Sequence, residues 1–264
     1  MKKKKIKNPL IRRIPKELIG DWKKYLVVFL FLVLTIGFVS GMYVANESMI
    51  TSANEGVTKY KQEDGHFELK KQADATLLSA IETGEKADFK ATKTTLYENF
   101  FRNEEEDYNN DGKKDGTIRV FAKTKDINLA CMLQGSFPQK ADEIAIDRMH
   151  ADNVGIKVGD TVTVSGETYK VVGLLAYVNY STLHEKTTDL MFDALKFDVA
   201  MVTQDGFDRL HKSIHYTYAW KYETEPADEA GEKTRSDNFM RALLTQVVVA
   251  DLSLIHISEP TRLD

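Results

Sequence analysis

Cysteine is all but missing from this chain of 264 residues. Cys131 stands alone, so no disulfide can form within the chain and no thiolate metal cluster can be built. The signatures of common catalytic centres are missing too: no HExxH, no G-x-S-x-G and no G-x-x-x-x-G-K-[ST] occurs. Their absence leaves no zinc-protease helix, no nucleophile elbow and no phosphate-cradling loop to read. Ser, His and Asp are all present without a nucleophile turn, and the expectation is that the chain is not an enzyme. There is no internal repeat. Apolar runs are scarce as well. One stretch, YLVVFLFLVLTIGFVSGMYVAN (25–46), carries no charge, and nothing like it recurs.

What is present begins with that run. Its 22 uncharged residues exceed the ~7–15 apolar residues of a signal peptide and suffice for a helix through ~30 Å of hydrocarbon. The best small-x-small cleavage position, after Ala45, has bulky Tyr43 at its −3 site, which again favours a span. Charge is distributed to match. Residues 1–24 hold ten Lys/Arg and two Asp/Glu, whereas the remainder holds 26 and 38. A basic tail against an apolar span reads as a cytoplasmic flank near anionic lipid head groups, not as a nucleic-acid-binding arm. In RRIPKELIGDWKKYL, Leu10, Ile14, Leu18 and Trp22 recur every four residues with Ile11 and Ile19 beside them. That spacing predicts an interfacial amphipathic helix, with Pro15 and Gly20 set against its continuity. Within the span, Gly37, Gly41 and Ala45 lie four apart, a small-xxx-small face on which another helix can pack. Glycine is also simply common in membrane helices.

Beyond Asn46 the chain turns polar. Helical spacing through Met49, Ala53, Val57 and Tyr60 predicts a stalk over about 47–62. A strand at 65–71, a helix at 73–84 and strands at 88–101 and 117–124 are expected next. The clearest block is 142–178: a strand at 143–147, a short helix near 148–153, and a β-hairpin of TVTVS and TYKVVGLLAYV. Later come a helix around 187–195, strand FDVAMVT, helix DGFDRLHKS, strand HYTYAWKYE and a helix near 235–246, with PADEAGEKTRSD read as an exposed loop before it. Strands and helices mix without a βαβ period, so an α+β domain is expected at 47–251, tethered by a transmembrane helix at 25–46 behind a cytoplasmic segment at 1–24. A body without disulfides outside the membrane fits a bacterial plasma-membrane protein.

One loop invites a metal. In DYNNDGKKDG (107–116), Asp107, Asn109 and Asp111 alternate before Gly112, with Asp115 beyond. Oxygen ligands at that spacing can wrap calcium, yet the twelfth position of such a loop, where a bidentate acid belongs, is Ile118. The same residues between two strands also spell a hairpin turn, and both readings stand. His211 and His215 lie four apart, but His215 opens a predicted strand, which breaks the helical face that zinc would need.

Two longer patterns complete the reading. LSLIHISEPTR (252–262) resembles the translation of a transposon-based sequencing adapter, so 252–264 is expected to be non-native and the genuine chain to continue past Asp251 differently. The stretch GSFPQKADEIAIDRMHADNVGIKVGDTVTVSGETYKVVGLL, with the basic lead, glycine-bearing span and stalk, resembles the permease subunits of ABC transporters of the FtsX-like/MacB-like family. The residues that carry it are Gly135–Pro138, Glu143–Ile146, Gly159–Thr161, Gly166 and Val171–Gly173. The lead and span are similar to those of permeases of Gram-positive, anaerobic gut-type bacteria. The resemblance implies four spans, of which this chain holds the first. It also implies a large extracytoplasmic domain, a homo- or heterodimer of permeases in membrane lipid, and ATP hydrolysed by a separate cytoplasmic ABC ATPase subunit. The substrate class it implies is a peptide, lipid or lipoprotein. No cofactor is expected in the chain itself beyond the calcium alternative. The rival readings are a single-pass, membrane-anchored sensor or binding module and, behind it, an anchored calcium-dependent hydrolase.

Overall fold

The computed structural model describes residues 19–83, 93–180, 183–185, 191–224, 228–250 and 254–258. Most of the predicted amphipathic lead, through Leu18, lies outside them. Two compact units divide the chain, 1–54 and 55–264.

The first unit is dominated by helix α1, Trp22–Thr58, which is long and apolar enough to cross a membrane. Residues 25–46 are exposed along their whole length. At 1.5 Å per residue this uncharged part measures about 33 Å, close to the hydrocarbon thickness. A Cβ placed on Gly37 or Gly41 would meet nothing within 4 Å.

The second unit mixes strands and helices around two sheets. Its elements are β1 (Gly65–Leu69), α2 (Ala75–Thr83), β2 (Thr94–Glu98), β3 (Phe101–Asp107), β4 (Gly116–Ala122), β5 (Cys131–Gly135), β6 (Glu143–Asp147), α3 (Arg148–Val154), β7 (Thr161–Val164), β8 (Glu167–Ala176), β9 (Phe197–Val202), α4 (Gln204–Asp208), β10 (Tyr216–Tyr222), α5 (Glu229–Val249) and β11 (Leu254–Ser258). The larger sheet runs β5-β8-β6-β9-β4-β3-β7, and β7 pairs back onto β8. Six strands therefore close into a ring. β8 is long enough to serve two partners along one edge: β7 takes its residues 167–170, and β5 takes 173–176.

Local chemistry explains the ring's joints. β7 and β8 are joined by Ser165 and Gly166 at φ 46° and 88°, the left-handed pair that a two-residue hairpin needs to match strand twist. Gly135 and Gly173 face each other in register where β5 meets β8. A Cβ on Gly173 would lie 2.6 Å from the Ser136 carbonyl, and one on Gly135 would lie 2.2 Å from that of Val172, so the backbones touch where a side chain would stand. Every residue of β9 is buried, as befits a central strand paired parallel to β4 and antiparallel to β6. Inside the ring, Ile118, Val120, Ile144, Ile146, Val162, Val164, Tyr169 and Val171 form one cluster, joined by Ala151 of α3 and Phe207 of α4. A second cluster of Phe121, Leu175, Tyr177, Phe197 and Met201 lies on other faces of the same strands.

The smaller sheet, β11-β1-β10-β2, is antiparallel throughout. Phe67, Leu69 and Trp220 from it pack with Leu77 and Ile81 of α2 and with Phe239 and Leu243 of α5. Fully burying an aromatic or aliphatic side chain of this size contributes ~1.5–3 kcal/mol.

Three expectations are revised. The last helix starts at Glu229, inside the stretch read as a loop, because Asp228 accepts a hydrogen bond from the Gly231 N–H and caps a polar first turn. Of the helix expected around 187–195, residues 186–190 lie outside the described set, and 191–196 form bends and turns. Strand β5 was not expected, since its residues are half-buried or exposed and show no apolar period. Residues 254–258, inside the segment expected to be non-native, pair with β1 as an edge strand.

Candidate functional site

The loop singled out for calcium is the hairpin between β3 and β4, closed where Glu106 pairs with Gly116. Asn110 reaches across to Thr161 and Thr163 of the later hairpin, and the other polar side chains that bond do so within the loop. Asp107 accepts from the N–H groups of Asp111 (3.1 Å) and Gly112 (2.9 Å), and Asn109 Oδ1 also accepts from Asp111 N–H (3.0 Å). Asp111 accepts from Lys113 N–H, and Asp115 accepts from the Asn109 side-chain amide. Ile118, the residue at the twelfth position, is fully buried in the ring. The structure folds Asp107, Asn109, Asp111 and Asp115 as a turn bonded within the loop. Nor do His211 and His215 share a helix, since α4 ends before both.

A different set of residues converges at depth. Among the described residues, one group of three places ligand atoms all within 4.8 Å of one another: Glu106, His150 and Asp198. They come from three elements. Inward-facing Glu106 is near the end of β3, and Asp198 is second in β9, beside Ile118 in register. His150 is in α3, whose position is set at both ends. Asp147 caps its start by accepting from Met149 and His150 N–H, and Gly155, in the left-handed conformation, closes its end. All three side chains are fully buried.

Hydrogen bonding orients the cluster. His150 Nδ1 lies 2.7 Å from the Ala194 carbonyl, so Nδ1 carries the proton and donates it there. Nε2 then points at Glu106 Oε1, 3.4 Å away. Asp198 Oδ1 accepts from Val199 N–H (2.7 Å) and Asp147 N–H (3.2 Å). The ring of half-buried Tyr108 stands edge-on to the imidazole at 5.7 Å. Four atoms have no hydrogen-bond partner: both carboxylate oxygens of Glu106, Asp198 Oδ2 and His150 Nε2.

Electrostatics follow from that crowding. Burial would lower the His150 pKa, but Asp198 and Glu106 more than offset it and raise it to about 9. Burial pushes the Asp198 carboxyl well above its usual range against the pull of His150. Neighbouring Glu104 supplies a contrast. It is buried on the same face of β3, yet its oxygens accept from the Ser165 hydroxyl and from Lys212 N–H.

None of Glu106, His150 and Asp198 follows from sequence spacing, because each lies in a different segment. The one available signal was a charged residue at an inward position of an otherwise apolar strand, as in FDVAMV.

No family model and no curated protein matches the chain. Solved structures similar to it include the periplasmic region of MacB from Actinobacillus actinomycetemcomitans, at 9% identity and a TM-score of 0.37, covering 72% of this chain and 88% of that one. Another is the extracellular domain of the noncanonic ABC-type transporter YknZ from Gram-positive bacteria, at 13% identity and a TM-score of 0.36, covering 72% of this chain and all of that one.

Proposed function

We propose that this chain is the membrane-anchored outer part of a permease subunit of an ABC transporter of the FtsX-like/MacB-like family. A separate cytoplasmic ATPase subunit hydrolyses ATP, and displacement of the span is passed to the domain beyond the membrane, where a peptide, lipid or lipoprotein is handled. The observation that carries the reading is the continuity of α1. One helix runs from Trp22 through the uncharged stretch to Thr58, and its buried Gly56 belongs to the outer body.

The foot of that helix is fastened. The Tyr60 hydroxyl donates to Cys131 Sγ at 2.9 Å, and the Leu129 and Asn128 N–H groups donate to the carbonyls of Tyr60 and Lys61. The open face of Gly37, Gly41 and Ala45 is the surface on which a second permease helix would pack.

The coding DNA beyond the codon for Asp251 tests the proposal. Three further spans in frame, and a neighbouring gene for an ABC ATPase that co-purifies with the encoded protein, are expected. A stop codon with no further span and no ATPase gene would overturn it in favour of a single-pass binding module.

A further inference from the structure

Glu106, His150 and Asp198 lie at one point inside the ring, and no step of the proposed transport uses them. We propose that these three side chains form a buried binding site for one divalent transition-metal ion of the zinc class. The site ties β3, β9 and α3 together.

The argument begins with what is left unpaired. An unbonded polar atom in a dry interior costs ~1–3 kcal/mol, and more when charged. Here Glu106 Oε1 and Oε2, Asp198 Oδ2 and His150 Nε2 are all fully buried and all lack a hydrogen-bond partner. The fold demonstrably satisfies a buried glutamate when one is only structural, as Glu104 two residues earlier shows. The pair of His150 Nε2 and Glu106 Oε1, at 3.4 Å, is longer than the ~2.7–2.9 Å of a charge-assisted hydrogen bond. Their separation instead suits two groups facing a shared ion.

The imidazole is also prepared for that role. Its Nδ1–H is held by the Ala194 carbonyl, which fixes the ring and aims Nε2 at the carboxylates, and an ion entering there displaces the proton that those carboxylates hold on Nε2. This is the arrangement that orients metal-bound histidines. Once metal binding has released the protons, one neutral imidazole and two carboxylates cancel the charge of a divalent cation. The nitrogen ligand selects zinc-class ions over calcium and magnesium, which prefer oxygen alone. Ligand atoms within 4.8 Å of one another need only small rotations to reach bonds of about 2.0–2.2 Å. Glu106 also lines a surface cleft of about 420 Å³ with Asp107, Gly112 and Lys113, so solvent reaches the strand that carries it.

The full chain, purified in detergent without added metal, supplies the test. Elemental analysis is expected to find about one transition-metal equivalent per chain. Stripping with a chelator should lower the melting temperature, and zinc at hundredfold excess over its dissociation constant should raise it by roughly 5–10 °C. Calcium and magnesium should not. Visible absorption bands on cobalt substitution would report nitrogen and oxygen ligands. Glu106→Gln and Asp198→Asn should fold by circular dichroism yet lose the zinc-dependent shift. Wild-type protein with no bound metal and no shift on adding zinc would overturn the proposal without reference to any variant. So would a zinc shift that survives in both variants, because the ion would then sit elsewhere.

Discussion

His66 shows how a single buried carboxylate sets a residue's charge. Its Nδ1 lies 2.7 Å from Oε1 of Glu63, itself almost fully buried. Burial alone would lower the His66 pKa, but Glu63 outweighs it and the value is raised; Glu68 adds to the rise, and Arg119 opposes it. The His256 ring, 5.9 Å away, is itself lowered, first by burial and then by His66. A raised histidine favours the folded state fully below its unfolded value of about 6.5, and that contribution is lost as pH rises through the folded value. Melting temperature should therefore fall with rising pH across that window. In Glu63→Gln, which keeps an oxygen for the Asn128 amide but not the charge, the slope should flatten; an unchanged slope would sink the assignment. Residues of this kind were not legible in the sequence. Glu63 and His66 are three residues apart, but the strength of their pairing depends on burial; Asn128, like Glu106, His150 and Asp198, meets its partners only because distant segments fold together. The 107–116 loop stood out in the sequence for the opposite reason: its Asp side chains bond within a few residues of themselves.

Single elements were most legible where pattern and turn chemistry agreed. The strand at 143–147, the short helix after it and the hairpin of β7 and β8 all appear, with the turn at Ser165-Gly166, one residue before the Gly-Glu pair the sequence suggested; alternation, the Asp147 cap and the turn residues point the same way. β5 escaped because an edge segment with exposed side chains shows no period. β11 raises a sharper question, since it pairs with β1 from within a segment that reads as foreign. Leu254 and Ile257 are only partly buried at the edge of a cluster whose Phe67, Trp220, Phe239 and Leu243 are fully buried. Ending the chain after Asp251 should therefore cost about 1–3 kcal/mol, a few degrees of melting temperature. Circular dichroism and cooperative unfolding should persist. Loss of cooperativity would show instead that β11 is integral to the sheet.

At the scale of the molecule, an asymmetric charge distribution and one apolar helix define a direction. Ten basic residues precede the span, and an acidic body follows it, so the body should lie outside the cytoplasm. In a Cys131→Ser background, Lys157→Cys on intact cells should react with a membrane-impermeant maleimide, while Lys23→Cys should react only after lysis. The reverse pattern would invert the topology. The two-sheet architecture was much less legible than the span, because β4 and β6 meet only through β9, far along the chain. That closure governs how the body comes to exist. Thr117 waits for Phe197, and β3 waits for Val164 before it gains its second neighbour. A chain synthesised from its N-terminus leaves the edge of β3 bare until Val164 is made and that of β4 until Val202 is made. Pairings this remote in sequence fold slowly, in milliseconds to seconds, so the ring closes only once residues 197–202 are available. A protease acting on the unfinished chain would meet β4 as an open strand first.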